Sequence, residues 1–226
     1  MRKALLFAAA AVSAIIAASS RSQSCVDTAL VLAVDGSGSI TDEEYEFQKA
    51  AIVSAFHNAA VLSAIRSAGS VAVAAVFWGD GELSSQQIGW FIMDGIKPSE
   101  QFALEIERHQ RTAWGNTDIG GGLWVALDLL SDPQLCARRR IVDISGDGRE
   151  TIAPKRRKSM SLNQARGRAE EMGVTINGLV ISDEEADLAD YYDKSVIMGS
   201  NRFVVDIKNI QDFAKAIRLK LIRELS

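Results

Sequence analysis

The sequence predicts a single α/β domain in which a mostly parallel sheet carries helices on both faces. Short, uninterrupted apolar runs recur along the chain, as in parallel strands that are covered on both sides. Segments with apolar residues at helical spacing separate these runs, and this alternation is typical of α/β folds. The chain has 226 residues, a length that fits one domain, and no linker or repeat divides it.

The first strands and the first helix have clear boundaries. Residues 29–34 are apolar without interruption and form the first predicted strand. Thr41 and Glu44 then have the spacing of a capping box, and apolar residues recur at helical spacing as far as Ala59. Residues 71–78 are the second predicted strand, again buried on both faces.

The middle of the chain continues the alternation. Residues 87–92 form a third strand, which we place at an edge of the sheet because polar residues and a glycine interrupt it. Residues 99–109 are predicted to be helical, and apolar residues at helical spacing predict a further helix over 119–130. The fourth strand covers residues 141–145.

The last third supplies the remaining elements. Residues 162–172 are predicted to form a helix that ends at Gly173, the usual residue after a helix C-terminus. Residues 174–181 and 203–207 are the last two strands, and Asn209 is predicted to cap a final helix.

Composition and charge exclude several classes of protein. A chain with 47% hydrophobic and 24% charged residues can bury a large core. Lys and Arg number 25 against 29 Asp and Glu, so no basic excess favours nucleic-acid binding. Two cysteines are too few for a thiolate zinc site. The sequence contains no phosphate-binding loop that would indicate nucleotide binding, and it contains no GxSxG motif that would indicate a hydrolase triad.

The N-terminus predicts export. A short cationic start precedes residues 4–18, of which only Ser13 is polar. This run is shorter than the ~20 residues that a membrane-spanning helix needs, and it fits the core of a signal peptide. We expect residues 1–24 to be removed by cleavage between Ser19 and Ser24, which leaves one domain over 25–226 in the periplasm or the extracellular medium. Membrane attachment is expected only if cleavage does not occur.

Oxygen-bearing side chains cluster where predicted strands end. Asp35, Ser37 and Ser39 alternate with glycines after the first strand, Asp147 follows the fourth, and Thr117 precedes a helix. Because ligand sites of α/β sheets lie outside the carboxyl ends of the strands, we expect these side chains to converge. Carboxylates and hydroxyls suit a hard divalent cation, Mg²⁺ or alternatively Mn²⁺ or Ca²⁺, better than they suit copper or zinc.

Three motifs in this order carry a family resemblance: Asp35-Gly-Ser-Gly-Ser39, Gly115-Asn-Thr-Asp118 and Ser145-Gly-Asp-Gly148. They resemble the metal-ion-dependent adhesion site of the von Willebrand factor type A (vWA) domain. The resemblance extends from Val26 to the C-terminus, and within the superfamily it is strongest to a group of exported bacterial proteins of unknown function. It implies a doubly wound sheet of six strands in the order 3-2-1-4-5-6. The third motif departs from the Thr-Asp-Gly that is commoner in the superfamily.

The resemblance also implies roles for the site residues. Ser37, Ser39 and Thr117 would contact the metal directly, and Asp35 and Asp147 would act directly or through bound water. It implies a protein-binding module to which a partner supplies a carboxylate. A metal-dependent hydrolase and a domain in which the ion only ties loops together remain alternatives. We favour binding, since the polar loops supply no clear general base or second metal site.

Other residues carry separate expectations. Trp114 and Asp118 lie on either side of Thr117 in the sequence and are candidates for the rim of the ligand site. Asp143 interrupts a buried strand, so we expect it to form a structural ion pair.

The two cysteines are expected to pair. In the strand order that the resemblance implies, Cys25 and Cys136 precede neighbouring parallel strands at the amino edge of the sheet. Adjacent strands lie ~4.8 Å apart, close to the Cα separation that a disulfide needs. Export permits oxidation, so we predict a structural disulfide without a catalytic role.

Overall fold

The computed structural model describes residues 25–153 and 160–226. The expected signal peptide, residues 1–24, lies outside the described residues. Six strands form one sheet in the order β3-β2-β1-β4-β5-β6. Their bounds are β1 Val26–Asp35, β2 Val71–Trp78, β3 Gln86–Ile92, β4 Ala137–Gly146, β5 Thr175–Ile181 and β6 Val204–Ile207.

Helices cover both faces of this sheet. They are α1 Asp42–His57, α2 Ala59–Ser67, α3 Ile96–Arg108, α4 Ile119–Leu130, α5 Leu162–Glu171, α6 Leu188–Tyr191 and α7 Phe213–Leu225. A π-helical turn, Tyr192–Val196, follows α6, and a 3₁₀ turn, Ile210–Asp212, leads into α7.

The pairing of the strands confirms the expected fold class. Strand β1 is parallel to β2 and to β4, and β4–β5 and β5–β6 are also parallel. Strand β3 is antiparallel to β2 and lies at the edge, as its interrupted apolar pattern predicts. The order 3-2-1-4-5-6 is the order that the vWA resemblance implies.

Alternate residues of β1 serve two separate cores. Leu30, Leu32 and Val34 belong to a cluster with the buried faces of α1, α2, α3 and α7. Ala29, Val31 and Ala33 belong to the opposite cluster, which α4, α5 and α6 cover. Burial on both faces explains why this strand is apolar without interruption.

Several boundaries differ from the sequence-based expectation, and two of the differences have a clear cause. The helical pattern that continues to Ala59 is divided at Asn58, whose side chain accepts hydrogen bonds from the amides of Ala60 and Val61 and begins α2. An asparagine in this position stops one helix and caps the next. Strand β4 begins at Ala137 rather than at residue 141. Arg139 and Arg140 pair with β1 although they are not apolar, so the apolar pattern did not reveal the start of the strand.

The amino edge of the sheet carries the disulfide. Cys25 and Cys136 are joined, with their Cα atoms 4.4 Å apart. The amide of Val26 donates to the carbonyl of Cys136 at 2.8 Å, so the bridge lies where β1 and β4 begin. Within residues 25–153 and 160–226, no helix has the length and apolar character needed to cross a membrane.

The carboxyl edge positions the candidate site. Strands β1 and β4 both end there, at Asp35 and Gly146. Helix α4 lies against β2, because Gly122 has no side chain: a Cβ atom there would lie 2.5 Å from Cγ of Trp78. This approach brings the start of α4, and with it Thr117, to the same edge as the ends of β1 and β4.

Candidate metal centre

The loop after β1 is folded tightly around its own aspartate. The amide of Ser37 donates to Oδ1 of Asp35 at 2.7 Å, which turns the chain back over the end of the strand. The amide of Gly36 donates to the carbonyl of Trp78, and that of Gly38 to the carbonyl of Gly115, both at 2.7 Å. These bonds fix residues 36–40, which we call the β1 loop, against β2 and against the segment that carries Thr117.

A continuous chain of hydroxyl contacts links the three predicted motifs. The Oγ atoms of Ser37 and Ser39 are 3.3 Å apart, and Ser39 Oγ donates to Oδ1 of Asp147 at 2.7 Å. Thr117 Oγ1 lies 3.4 Å from Ser37 Oγ. The structure therefore brings together Asp35, Ser37, Ser39, Thr117 and Asp147, the five residues singled out in the sequence.

The Thr117 segment is held by two residues that sequence reasoning missed. Asn116 Nδ2 donates to Oδ2 of Asp80 at 2.5 Å. Thr151 accepts from the amide of Thr117 at 3.2 Å through its hydroxyl, and its own amide donates to the carbonyl of Thr117 at 2.8 Å. Asp80 could have been noticed, since it follows the end of β2 at the same edge; Thr151 has no signal in the sequence.

The two candidate rim residues differ in accessibility. Trp114 is 44% exposed beside the site, whereas Asp118 is 1% exposed and accepts a hydrogen bond from the amide of Gly121 at the start of α4. Asp118 thus caps the helix from below the surface. Ile152, next to Thr151 in the sequence, is an apolar side chain that is 86% exposed.

The departure of the third motif has a steric explanation. Gly146 stands where the superfamily more often has threonine, and a Cβ atom there would lie 2.5 Å from the hydroxyl of Tyr192 and 3.1 Å from Oδ2 of Asp35. Tyr192 is fully buried, and its hydroxyl lies 3.3 Å from the carbonyl of Gly148. The glycine therefore leaves room for a tyrosine whose hydroxyl lies beside Gly146 and Gly148, the two residues that flank Asp147.

The site carries negative charge, and no salt bridge among the described residues offsets it. Asp35 is fully buried, and its Oδ2 atom has no hydrogen-bond partner among the described residues. No lysine or arginine in the described ranges forms a salt bridge with Asp35 or Asp147. Burial, followed by the charge of Asp147, raises the pKa of Asp35 to about 8. Burial also raises the pKa of Asp147 above its usual range.

This donor set fits a hard divalent cation. It consists of three hydroxyls and two carboxylates, and one buried carboxylate oxygen still lacks a partner. Mg²⁺, Mn²⁺ and Ca²⁺ prefer such oxygen ligands. Among the described residues, no group of three or more His, Cys, Asp or Glu side chains could hold a metal, so binding here would depend on the serine and threonine hydroxyls.

Comparisons with solved structures place this fold among known ones. The pilus adhesin SpaC from Lactobacillus rhamnosus GG is similar with a TM-score of 0.58 and 12% identity, over 88% of this chain and 30% of the adhesin. Proximal thread matrix protein 1 from the mussel byssus, solved with a zinc-occupied MIDAS motif, gives 0.56 and 18%, over 89% of this chain and 48% of that protein. The SpRpn10 VWA domain gives 0.57 and 15%, over 87% of this chain and 96% of that domain.

These matches show the fold. The chain spans less than half of the adhesin and of the matrix protein, and the identities are low throughout. No curated protein sequence matches the chain. One family model, described as Protein of unknown function (DUF1194), matches residues 24–226. The chain therefore belongs to the DUF1194 family and has the fold of the vWA domain.

Proposed function

We propose that this protein is an exported protein-binding module. It holds a divalent cation, preferably Mg²⁺, at the carboxyl edge of its sheet. The observation that carries the proposal is the convergence of five oxygen-bearing side chains, one of which is the buried carboxylate of Asp35. Its Oδ2 atom has no hydrogen-bond partner within the described part of the chain. A buried, unpaired carboxylate is costly for a fold, which is why such groups commonly serve a ligand.

The five site residues have two kinds of role in binding the cation. Ser37, Ser39 and Thr117 supply hydroxyl oxygens to the cation, and Asp35 and Asp147 supply charge, directly or through water. The bound ion would supply positive charge on which a carboxylate of a partner protein can bind. Trp114, exposed beside Thr117, forms part of the rim that the partner contacts.

Two observations favour binding over hydrolysis. The two least buried residues of the site are Ser39 and Asp147, and they are bonded to each other, so neither is a free base. His109, one of two histidines in the chain, stacks on Phe77 with ring centroids 3.8 Å apart. Burial, followed by the charge of Lys49, lowers the pKa of this histidine to about 4. It is therefore stacked, half-buried, on an aromatic ring and is not one of the five site residues.

The cellular setting is part of the same proposal. Residues 1–24 would be a cleaved signal peptide, and residues 25–226 one domain in the periplasm or the extracellular medium. The disulfide between Cys25 and Cys136 fits an oxidising compartment. A pilus adhesin and a byssus matrix protein with the same fold are consistent with a role outside the cytoplasm.

A pull-down tests the proposal. The mature protein serves as bait in an extract of exported proteins, with Mg²⁺ or with EDTA, beside Asp147→Ala and the control Asp183→Ala. The control removes a nearby negative charge that lies outside the donor set. We expect a partner that is retained by wild type and by the control with Mg²⁺, and lost with EDTA or with Asp147→Ala. A partner retained equally under all conditions would contradict metal-dependent binding, and a substrate turned over only by the Mg²⁺-loaded wild type would favour the hydrolase.

A further inference from the structure

Arg111, which is distant from the β1 loop in the sequence, contacts this loop on the side opposite the hydroxyls of the site. Arg111 lies between α3 and the Thr117 segment, and its side chain is only 6% exposed. Its Nη2 atom donates to the carbonyls of Gly36, Ser37 and Ile40 at 3.1, 2.7 and 2.7 Å. Three of the five carbonyls of the β1 loop thus meet at one guanidinium group.

The same guanidinium makes contacts on its other sides. Nη1 donates to Oδ1 of Asp42, the first residue of α1, at 2.8 Å, and Nε donates to the carbonyl of Ala113 at 3.3 Å. The group also stacks on the ring of Trp114, with Cζ 3.8 Å from the ring centroid. Arg111 therefore joins the β1 loop, the start of α1 and the exposed tryptophan of the rim.

These contacts stabilise backbone carbonyls of the β1 loop that would otherwise repel one another. Carbonyl dipoles whose negative ends converge repel one another, and a buried cluster of them requires donors. A guanidinium group offers five N–H donors in a fixed plane and a charge that persists at all physiological pH values. A lysine ammonium has three donors on a compact charge, and it could not also stack on Trp114 and bond Asp42 in the same geometry.

The loop presents opposite sides to Arg111 and to the site. Its carbonyls bind the guanidinium, while the hydroxyls of Ser37 and Ser39 contact Thr117 and Asp147. Without the arginine, the carbonyls would have to turn toward water, and the hydroxyls would rotate with the same peptide units. The conformation that gathers the donor set would therefore depend on Arg111 as well as on the backbone bonds of Gly36 and Gly38.

We propose that Arg111 is the positioning residue of this centre: it holds the β1 loop in the one conformation that presents Ser37 and Ser39 to a cation. The inference rests on the proposed function for the identity of the ligand, but the effect on the loop can be measured without metal. Residues that orient metal ligands from behind commonly change metal affinity by about 10–100-fold when they are replaced.

Three variants of the mature protein test the proposal. Arg111→Met removes the charge and all donors but keeps an unbranched stem, and Arg111→Lys keeps the charge and fewer donors. Arg168→Met is a matched control, since Arg168 also stacks on a tryptophan, Trp124, and also pairs with an aspartate, Asp128, but on α5. Mn²⁺ affinity is measured by electron paramagnetic resonance of free Mn²⁺. Hydrogen exchange of residues 36–40 is measured in EDTA.

The two readouts separate the possible failures. We expect Arg111→Met to weaken Mn²⁺ binding by about tenfold or more and to speed exchange in the β1 loop. We expect Arg111→Lys to recover part of both, and Arg168→Met to match wild type within about twofold. If Arg111→Met does not fold, a folded Arg111→Lys with weakened Mn²⁺ binding and faster loop exchange supports the proposal, and one that matches wild type overturns it.

Unchanged loop exchange and unchanged affinity in a folded Arg111→Met variant would overturn the inference. If wild type itself does not bind Mn²⁺, the proposed function fails. The exchange readout in EDTA then decides alone whether Arg111 holds the loop: faster exchange in Arg111→Met supports the positioning role, and unchanged exchange refutes it.

Discussion

Lys220 lies buried between two carboxylates on the α7 face of the sheet. Its Nζ atom is 2.5 Å from Oδ1 of Asp143 and 2.6 Å from Oε1 of Glu224, and Asn177 donates to the same Glu224 oxygen at 2.9 Å. The ion pair expected for Asp143 is thus confirmed, with a second carboxylate that the sequence did not reveal. One lysine cannot neutralise both acids. Burial, followed by the charge of Asp143, raises the pKa of Glu224 to about 7.

This cluster gives a pH-dependent contribution to stability. Because the folded-state pKa of Glu224 lies above its ordinary value of 4.5, protonation favours the folded state. The contribution is complete below that ordinary value and is lost as the pH rises through about 7. Relative to wild type, the melting temperature of Glu224→Gln should therefore increase between about pH 5 and about pH 8. The increase should be about 2–4 °C for each kcal/mol gained in the free energy of unfolding. A constant difference in calorimetric scans across this range would show that Glu224 does not titrate as inferred.

The elements around the site depend on close packing of α4. Gly122 lies in α4 where the helix packs closely on Trp78. Gly167 lies in α5, where an added Cβ atom would have no neighbour within 4 Å. The two glycines therefore allow the same substitution in opposite surroundings.

Replacing each glycine by alanine should have opposite effects. Gly122→Ala places a methyl group against the indole and should lower the free energy of unfolding by about 1–3 kcal/mol. Gly167→Ala should raise it by about 0.5–1 kcal/mol, since alanine is the better helix former and meets no neighbour. Urea unfolding measures both, and a Gly122→Ala protein as stable as wild type would contradict the close approach that positions Thr117.

Most elements of the fold could be predicted because their signals are local. Strand β2 matches its predicted bounds, since burial on both faces leaves an uninterrupted apolar run. The division between α1 and α2 was missed, because apolar spacing continues across Asn58 and only its side-chain bonds reveal the break. The ends of strands also led to four of the five candidate ligands, and the start of a helix led to Thr117, because each lies next to a recognisable element.

The supports of the site could not be predicted in the same way. Arg111 and Thr151 act mainly through backbone atoms of other loops, and backbone contacts leave no pattern of residue types in a sequence. Their importance depends on which loops the sheet order brings together, and that is a property of the tertiary structure.

At the scale of the whole molecule, the disulfide and the candidate site lie at opposite edges of the sheet. Cys25 and Cys136 are 111 residues apart in sequence, and a bridge of that span stabilises by roughly 4–5 kcal/mol in loop-entropy terms. We therefore expect the paired substitution of both cysteines by serine to lower the melting temperature without changing Mg²⁺ affinity.

Mass spectrometry checks the bridge itself. Alkylation of the native protein without prior reduction should add no label, and alkylation after reduction should label both cysteines. Two reactive thiols in the unreduced protein would contradict the pairing, and a loss of Mg²⁺ affinity in the serine variant would contradict the independence of the two edges.

The central claim is that the carboxyl edge binds a divalent cation through Asp35, Ser37, Ser39, Thr117 and Asp147. Isothermal titration calorimetry of the mature protein with Mg²⁺ tests it most directly, with Asp147→Ala and the control Asp183→Ala measured in the same buffer. The account predicts one site in wild type and in the control, and at least about a tenfold loss of affinity in Asp147→Ala, since the variant loses a charged ligand. Equal binding by wild type and Asp147→Ala, or no binding by the folded wild type, would contradict it.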